Sequence, residues 1–162
     1  MVVNGGLWLG DPDIDAISRV TNPIDVTGYI RNDNFALEKD TWCPFNSQNT
    51  ALARETIPSY FLSPHIGRFD DIWASYFTKR VADYFDDAIS FGFPLVKQDR
   101  NDHNLWHDLE LEIFGNQNTE TFVGWLRSIQ LTGKTYYDVS LNLLNELDKK
   151  LDEDHRLSND EK

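Results

Sequence analysis

At 162 residues, with 40% hydrophobic and 13% aromatic side chains, the chain suits one domain with a real core and is too apolar for general disorder. Its net charge of −12 excludes sequence-independent binding to nucleic acid, which needs basic clusters to meet phosphates, and disfavours anionic membrane surfaces. No apolar run is long enough to span a membrane, no signal peptide is evident, and the single cysteine, Cys43, excludes an intrachain disulfide, so a reducing, cytoplasmic setting is expected. The abrupt start, Met1-Val2-Val3 leading straight into an apolar stretch, suggests a missing upstream part.

Residues 2–9 read as a buried strand ending in Leu7-Trp8-Leu9, with Gly5 and Gly6 allowing close backbone approach. Asp11 and Pro12 have the residue types of an N-cap and a first helical position, so a short helix is expected from there. Asp11, Asp13 and Asp15 alternate as in a calcium loop. The Gly and Glu that such a loop needs at its sixth and twelfth positions are Ala16 and Asn22, and capping is the better reading. Residues 21–40 are polar, with short apolar runs fit for one or two small strands. A turn at 46–49 feeds another, and Arg54-Glu55-Thr56-Ile57 is a single helical turn stopped by Pro58. Cys43, beside Trp42 and Pro44 and away from any helix start or basic neighbour, reads as a small buried hydrophobe.

The most informative stretch is His65-Ile66-Gly67-Arg68-Phe69-Asp70-Asp71-Ile72-Trp73. Gly67 suits a turn, and Asp70 and Asp71 fall in the first turn of a helix predicted over about 69–85, where unpaired N–H groups favour negative charge. Trp73, Tyr76, Phe77, Val81 and Tyr84 recur at helical spacing behind them. The stretch thus presents two acids and a guanidinium at a loop mouth, although capping and simple ion pairing account for the same residues. Residues 88–93 read as a strand ended by Pro94. A second polar cluster, Gln98-Asp99-Arg100-Asn101-Asp102-His103-Asn104, opens a helix whose face is Leu105, Leu109 and Ile113. Arg100, His103 and Asn104 can reach a pocket from there, and Asn104 can equally cap the helix. Gly115-Asn116 is expected to end this helix. A third is expected over about 119–131, and a last one starts at a capping box, Thr135 with Asp138, carrying the stripe Tyr137, Leu141, Leu144, Leu147 and Leu151. Fraying is expected from Asp152.

Gly6-Leu7-Trp8-Leu9 followed by Pro12-Asp13-Ile14-Asp15-Ala16 resembles a segment of the reversibly glycosylated polypeptides, the UDP-arabinopyranose mutase family. Pro44, Asn49, Ala51, Arg54-Glu55 and Ile57 resemble a second block. The run from Ile66 to Ala74 resembles a third closely, and Gly92, Pro94, the loop from Arg100 to Asn104, Asp108-Leu109 and Glu112 a looser fourth. The resemblance covers about residues 5–112 with its blocks in the family's order. It implies an α/β fold, the C-terminal part of an A-type glycosyltransferase-like nucleotide-sugar domain. The implied division is 1–114 for that half domain, 115–152 for a helical extension packed on it, and 153–162 for a disordered acidic tail.

The resemblance also implies a UDP-sugar substrate and a divalent cation, Mn or Mg, held through an Asp-x-Asp motif that in the family lies upstream and has no counterpart here. The expected activity is transfer or mutation of a UDP-sugar, incomplete in this chain alone. The alternative is a non-catalytic acidic domain that keeps the scaffold and uses its last helix for a homo-oligomer or a protein partner. For the complete site the expected catalytic acids are Asp70 and Asp71. Arg68, Trp73, Asn49, Arg100 and Asn104 are expected to bind substrate, with His103 a metal or phosphate contact.

Overall fold

A computed structural model describes residues 1–30 and 33–154. The fold is α/β: a small mixed sheet carrying four helices. Strand β1 (Val3–Gly10) lies near the centre, paired in parallel with β4 (Ile89–Gln98) and antiparallel with β3 (Thr50–Leu52). Strand β2 (Phe35–Ala36) pairs antiparallel with the outer side of β4, giving the order β2-β4-β1-β3. The helices are α1 (Ala16–Thr21), α2 (Asp70–Tyr84), α3 (Leu105–Ser128) and α4 (Tyr136–Glu153). One core joins the sheet to the helices through Val3, Phe77, Val81, Ile89, Leu126, Val139 and Leu143.

Several expectations are met. Helix α2 begins at Asp70, after Gly67 turns the chain with φ +72. Helix α4 begins with a full capping box between Thr135 and Asp138. Cys43 is half-buried, and that burial pushes its thiol pKa up, away from nucleophile chemistry.

Others are corrected. Helix α1 starts at Ala16, because Asp15 rather than Asp11 is the cap, its carboxylate accepting from the Ser18 N–H at 2.9 Å. Asp11 instead pairs with Arg19. Strand β4 does not stop at Pro94. It runs to Gln98, and the proline falls where the β1–β4 register shifts, between the Gly6–Gly92 and Trp8–Val96 pairs. An irregularity is where a residue without an N–H is tolerated in a sheet.

Helix α3 does not end at Gly115. It runs unbroken to Ser128, and Gly115 is there because a Cβ would lie 2.1 Å from the Phe69 ring. Its inward residues in the first half are Asp108, Glu112 and Gly115, whereas Ile113 is exposed. In α4 the buried line is Tyr136, Val139, Leu143 and Leu147. Of the expected stripe only Leu147 is buried, while Tyr137, Leu141, Leu144 and Leu151 face outward. Helix α4 continues to Glu153, so fraying from Asp152 is not seen there; residues 155–162, most of the expected acidic tail, lie outside the described residues.

Candidate functional site

Parallel strands point their carboxyl ends the same way, and in open α/β sheets the crevice beyond those ends is where ligands are held. Here β1 and β4 supply the two ends. The loops that follow, 11–15 and 99–104, line a cleft of about 230 Å³ with Asp11, Arg19, Arg100, Asn101, Asp102, His103, Leu105 and Asp108. Arg100 Nη1 meets Asp13 Oδ1 at 2.7 Å, and Asp13 Oδ2 accepts from the Asn46 side chain at 3.2 Å. Arg19 Nη1 meets Asp11 Oδ1 at 2.7 Å and its other terminal nitrogen donates to the Pro12 carbonyl, while its Nε is buried without a hydrogen-bond partner. His103 Nδ1 faces Asp108 Oδ2 at 3.4 Å.

Beneath the cleft, Arg68 bridges two buried acids of α3: Asp108 Oδ1 at 3.2 Å and Glu112 Oε1 at 3.3 Å. The other Glu112 oxygen accepts from the Ala16 N–H at 2.8 Å, so one carboxylate ties together α3, the turn before α2 and the start of α1. Arg68 therefore positions the cleft from below rather than lining it.

Asp71 lies beside this network. Its Oδ2 accepts from the Ser47 N–H at 2.9 Å and the Ser47 hydroxyl at 3.2 Å. Burial raises its pKa above the usual carboxylate value, and the charges of Asp70 and Asp13 add to the rise against the lowering by Ser47. Tyr60 stacks on Phe45, and its hydroxyl is buried without a hydrogen-bond partner. Burial pushes that phenol upward, helped by the Asp71 and Asp70 charges.

The remaining expected residues are placed elsewhere. Asp70 accepts from the Asp71 N–H at 2.8 Å and faces an apolar groove on the other side of the loop. Trp73 lines that groove too; its indole N–H donates to Thr119 at 2.9 Å and its ring stacks on Phe122 at 4.3 Å. Asn49 donates to the Leu7 carbonyl at 3.0 Å and braces β1 at the register shift. Asn104 caps α3 through the His107 N–H at 3.3 Å. The structure thus brings Arg100 and His103 together, sets Asp71 and Arg68 against the same network, and separates Asp70, Trp73, Asn49 and Asn104 from it. Sequence reasoning passed over Arg19, Asp108 and Glu112 as site-builders. A usable signal was that Arg19 lies in the first helix after β1, while Asp108 and Glu112, four residues apart, share one face of α3.

The described residues do not by themselves make a complete site for a divalent cation. Among the described residues no group of three or more His, Cys, Asp or Glu side chains is arranged to hold a metal ion. His103 shares its one facing acid, Asp108, with Arg68.

An α/β scaffold with a charged cleft at the carboxyl ends of a parallel strand pair has the geometry in which open α/β sheets hold their ligands. The chain belongs to the Reversibly glycosylated polypeptide family, whose pattern it matches over residues 1–159. It is 28% identical over 124 residues to UDP-arabinopyranose mutase 3 of Arabidopsis thaliana, covering 73% of this chain and 32% of the relative. To UDP-arabinopyranose mutase 1 of the same plant it is 28% identical over 136 residues, covering 80% and 38%. To UDP-arabinopyranose mutase 1 of Oryza sativa subsp. japonica it is 27% identical over 124 residues, covering 73% and 32%. The chain thus spans about a third of the length of these relatives.

Proposed function

We propose that this chain forms the C-terminal part of a UDP-sugar mutase-type enzyme and that the strand-end cleft receives an anionic portion of the sugar nucleotide. The observation carrying this reading is the convergence of Arg19, Arg100 and His103 at the carboxyl ends of β1 and β4, in a chain whose net charge is −12. The lining also carries Asp11, Asp102 and Asp108, so the cleft is not a cationic patch, and an anion is held there only through the donors that the two guanidiniums keep beyond their carboxylate partners. Each arginine is held in place by one carboxylate, Asp11 or Asp13, and planar guanidinium forks suit phosphate oxygens. Asp71 lies outside the cleft lining but close enough to Asp13 to feel its charge; with Oδ2 committed to Ser47, its Oδ1 is the atom that would accept a sugar hydroxyl. A carboxylate whose pKa is raised by burial is suited to accept a proton. The half-buried thiol of Cys43 agrees with a cytoplasmic setting.

The test is calorimetric titration with UDP-arabinopyranose, with and without manganese because family resemblance implies a divalent cation. Binding in the micromolar range, about −8 kcal/mol, weakened tenfold or more by Arg19→Ala and by Arg100→Ala, is the expected result. Equal binding by wild type and both variants, or no binding by the folded chain under either condition, overturns it. A second reading, a protein-binding module on the same scaffold, draws support from the outward apolar line of α4, where Tyr137 is 62% and Leu141 46% exposed.

A further inference from the structure

Helices α2, α3 and α4 and the loop 61–66 line a groove of about 490 Å³ that shares no lining residue with the strand-end cleft. Trp73 and Phe77 of α2 form its floor, Phe122 and Trp125 of α3 one wall, and Leu144, Leu147 and Leu151 of α4 the other. Leu144, Leu147 and Leu151 follow one another at intervals of three and four residues, a straight ridge of two turns, about 10 Å long. The rim carries Asp70 and Asp148. We propose that this groove is a receptor for a basic amphipathic α-helix of a partner protein.

The chemistry of the groove selects this occupant. Three of its sides are helices, whose backbone groups are already bonded within the helix and cannot receive an added strand, and the loop with Phe61, Ser63, His65 and Ile66 completes the lining. The indole N–H of Trp73 is spent on Thr119, and apart from Ser63, His65, Asp70 and Asp148 the lining is apolar, which suits an apolar ridge better than a sugar or a nucleotide base. A second copy of this chain brings another charge of −12 and another acidic α4 to an acidic rim. What remains complementary is an apolar ridge with side chains at helical spacing, flanked by lysine or arginine to meet Asp70 and Asp148. The groove lies apart from the cleft, so this inference stands independently of the activity proposed above.

The probe is a fifteen-residue acetylated peptide with leucines at positions i, i+3, i+4 and i+7 and lysines on its flanks, read by fluorescence anisotropy against the full chain. Two controls carry the same leucines with glutamate flanks and the same composition in scrambled order. The expected result is saturable binding of the lysine peptide at least tenfold tighter than either control. Leu144→Glu and Leu151→Glu reduce it tenfold or more, Asp148→Asn reduces both affinity and salt dependence, and Leu111→Glu, an exposed leucine of α3 outside the groove, leaves it unchanged. Leu144 and Leu151 are 38% and 37% exposed, so these changes leave the core intact, and an unchanged circular dichroism melt checks this. No binding, or equal binding of all three peptides, overturns the proposal. So does a dimer in sedimentation that Leu144→Glu abolishes and the peptide does not displace, since that assigns the groove to a second copy.

Discussion

Helices α3 and α4 dock on the same body by opposite means. Helix α4 buries Tyr136, Val139, Leu143 and Leu147 and is fixed at its start by a capping box. The first half of α3 buries Asp108, Glu112 and Gly115, with Arg68 between the two acids and the α1 backbone on the far oxygen of Glu112. Apolar docking is non-directional and tolerates exchange of one hydrophobe for another of similar volume. Ionic docking holds only if each charge keeps its partners, and in return it specifies one arrangement of three segments. The stringent contact lies directly beneath the strand-end cleft, where positions of charged groups matter. The tolerant contact lies where only adhesion is needed.

This contrast is open to direct attack. The largest effect is expected from Leu143→Ala, since Leu143 is fully buried: a loss of about 3 kcal/mol in urea unfolding, with volume-conserving Leu143→Met costing much less. Next is Arg68→Met, which keeps the aliphatic stem but leaves two buried acids without their cation. Its side chain is 30% exposed, so the expected loss is about 2 kcal/mol, below that of a fully buried pair. Combining Arg68→Met with Glu112→Gln is expected to cost less than the sum of the two single changes, and strict additivity in that cycle would refute the ionic account of α3. Gly115→Ala pits a Cβ placed 2.1 Å from the Phe69 ring, an overpacking cost of about 2 kcal/mol, against about 1 kcal/mol of helix propensity. A net loss near 1 kcal/mol is expected by calorimetry, and a gain would show that Phe69 yields freely.

The smallest effect concerns pH. Asp71 has a folded pKa above its unfolded value of 3.8, so the folded state binds its proton more tightly. Its contribution is therefore fully present below pH 3.8 and is lost as pH rises through the raised folded value. Unfolding series across that window are expected to show this slope in the wild type and its absence in Asp71→Asn.

Much of this arrangement is legible in the chain. The start of α2, the cap at Thr135 and the family blocks rest on local chemistry: a glycine turn, acids in a first turn, a hydroxyl three residues before an acid. What is not legible depends on partners far away in sequence. Helix α4 carries two usable apolar lines, and periodicity alone does not say which of Leu143 or Leu144 turns inward; docking on the helical turn Arg54–Ser59, on α2 and on α3 decides it. In α3 the usual rule, apolar side in, points to Ile113. The rule fails because Arg68, 44 residues from Glu112, makes burial of acids tolerable. Gly115 reads as a stop signal until Phe69 is seen against it, and Pro94 reads as a strand end until the register shift is seen. The cleft was half visible: Arg100 and His103 come from one polar loop, but Arg19 joins them only through the parallel pairing of β1 and β4.

That pairing also governs the order in which the molecule can be made. Strand β1 hydrogen-bonds along most of its length to β4, and the Asn4 side chain donates to Ser90 across a separation of 86 residues. The antiparallel partner β3 arrives earlier but covers only three positions, from Val3 to Gly5. A loop of that length must close before the parallel ladder returns any free energy, and topologies dominated by such distant contacts fold slowly. During synthesis the glycine-containing β1 therefore waits, largely unpaired, until the chain has been extended past Gln98. The late-made β4 is then the element whose arrival sets the pace of sheet assembly.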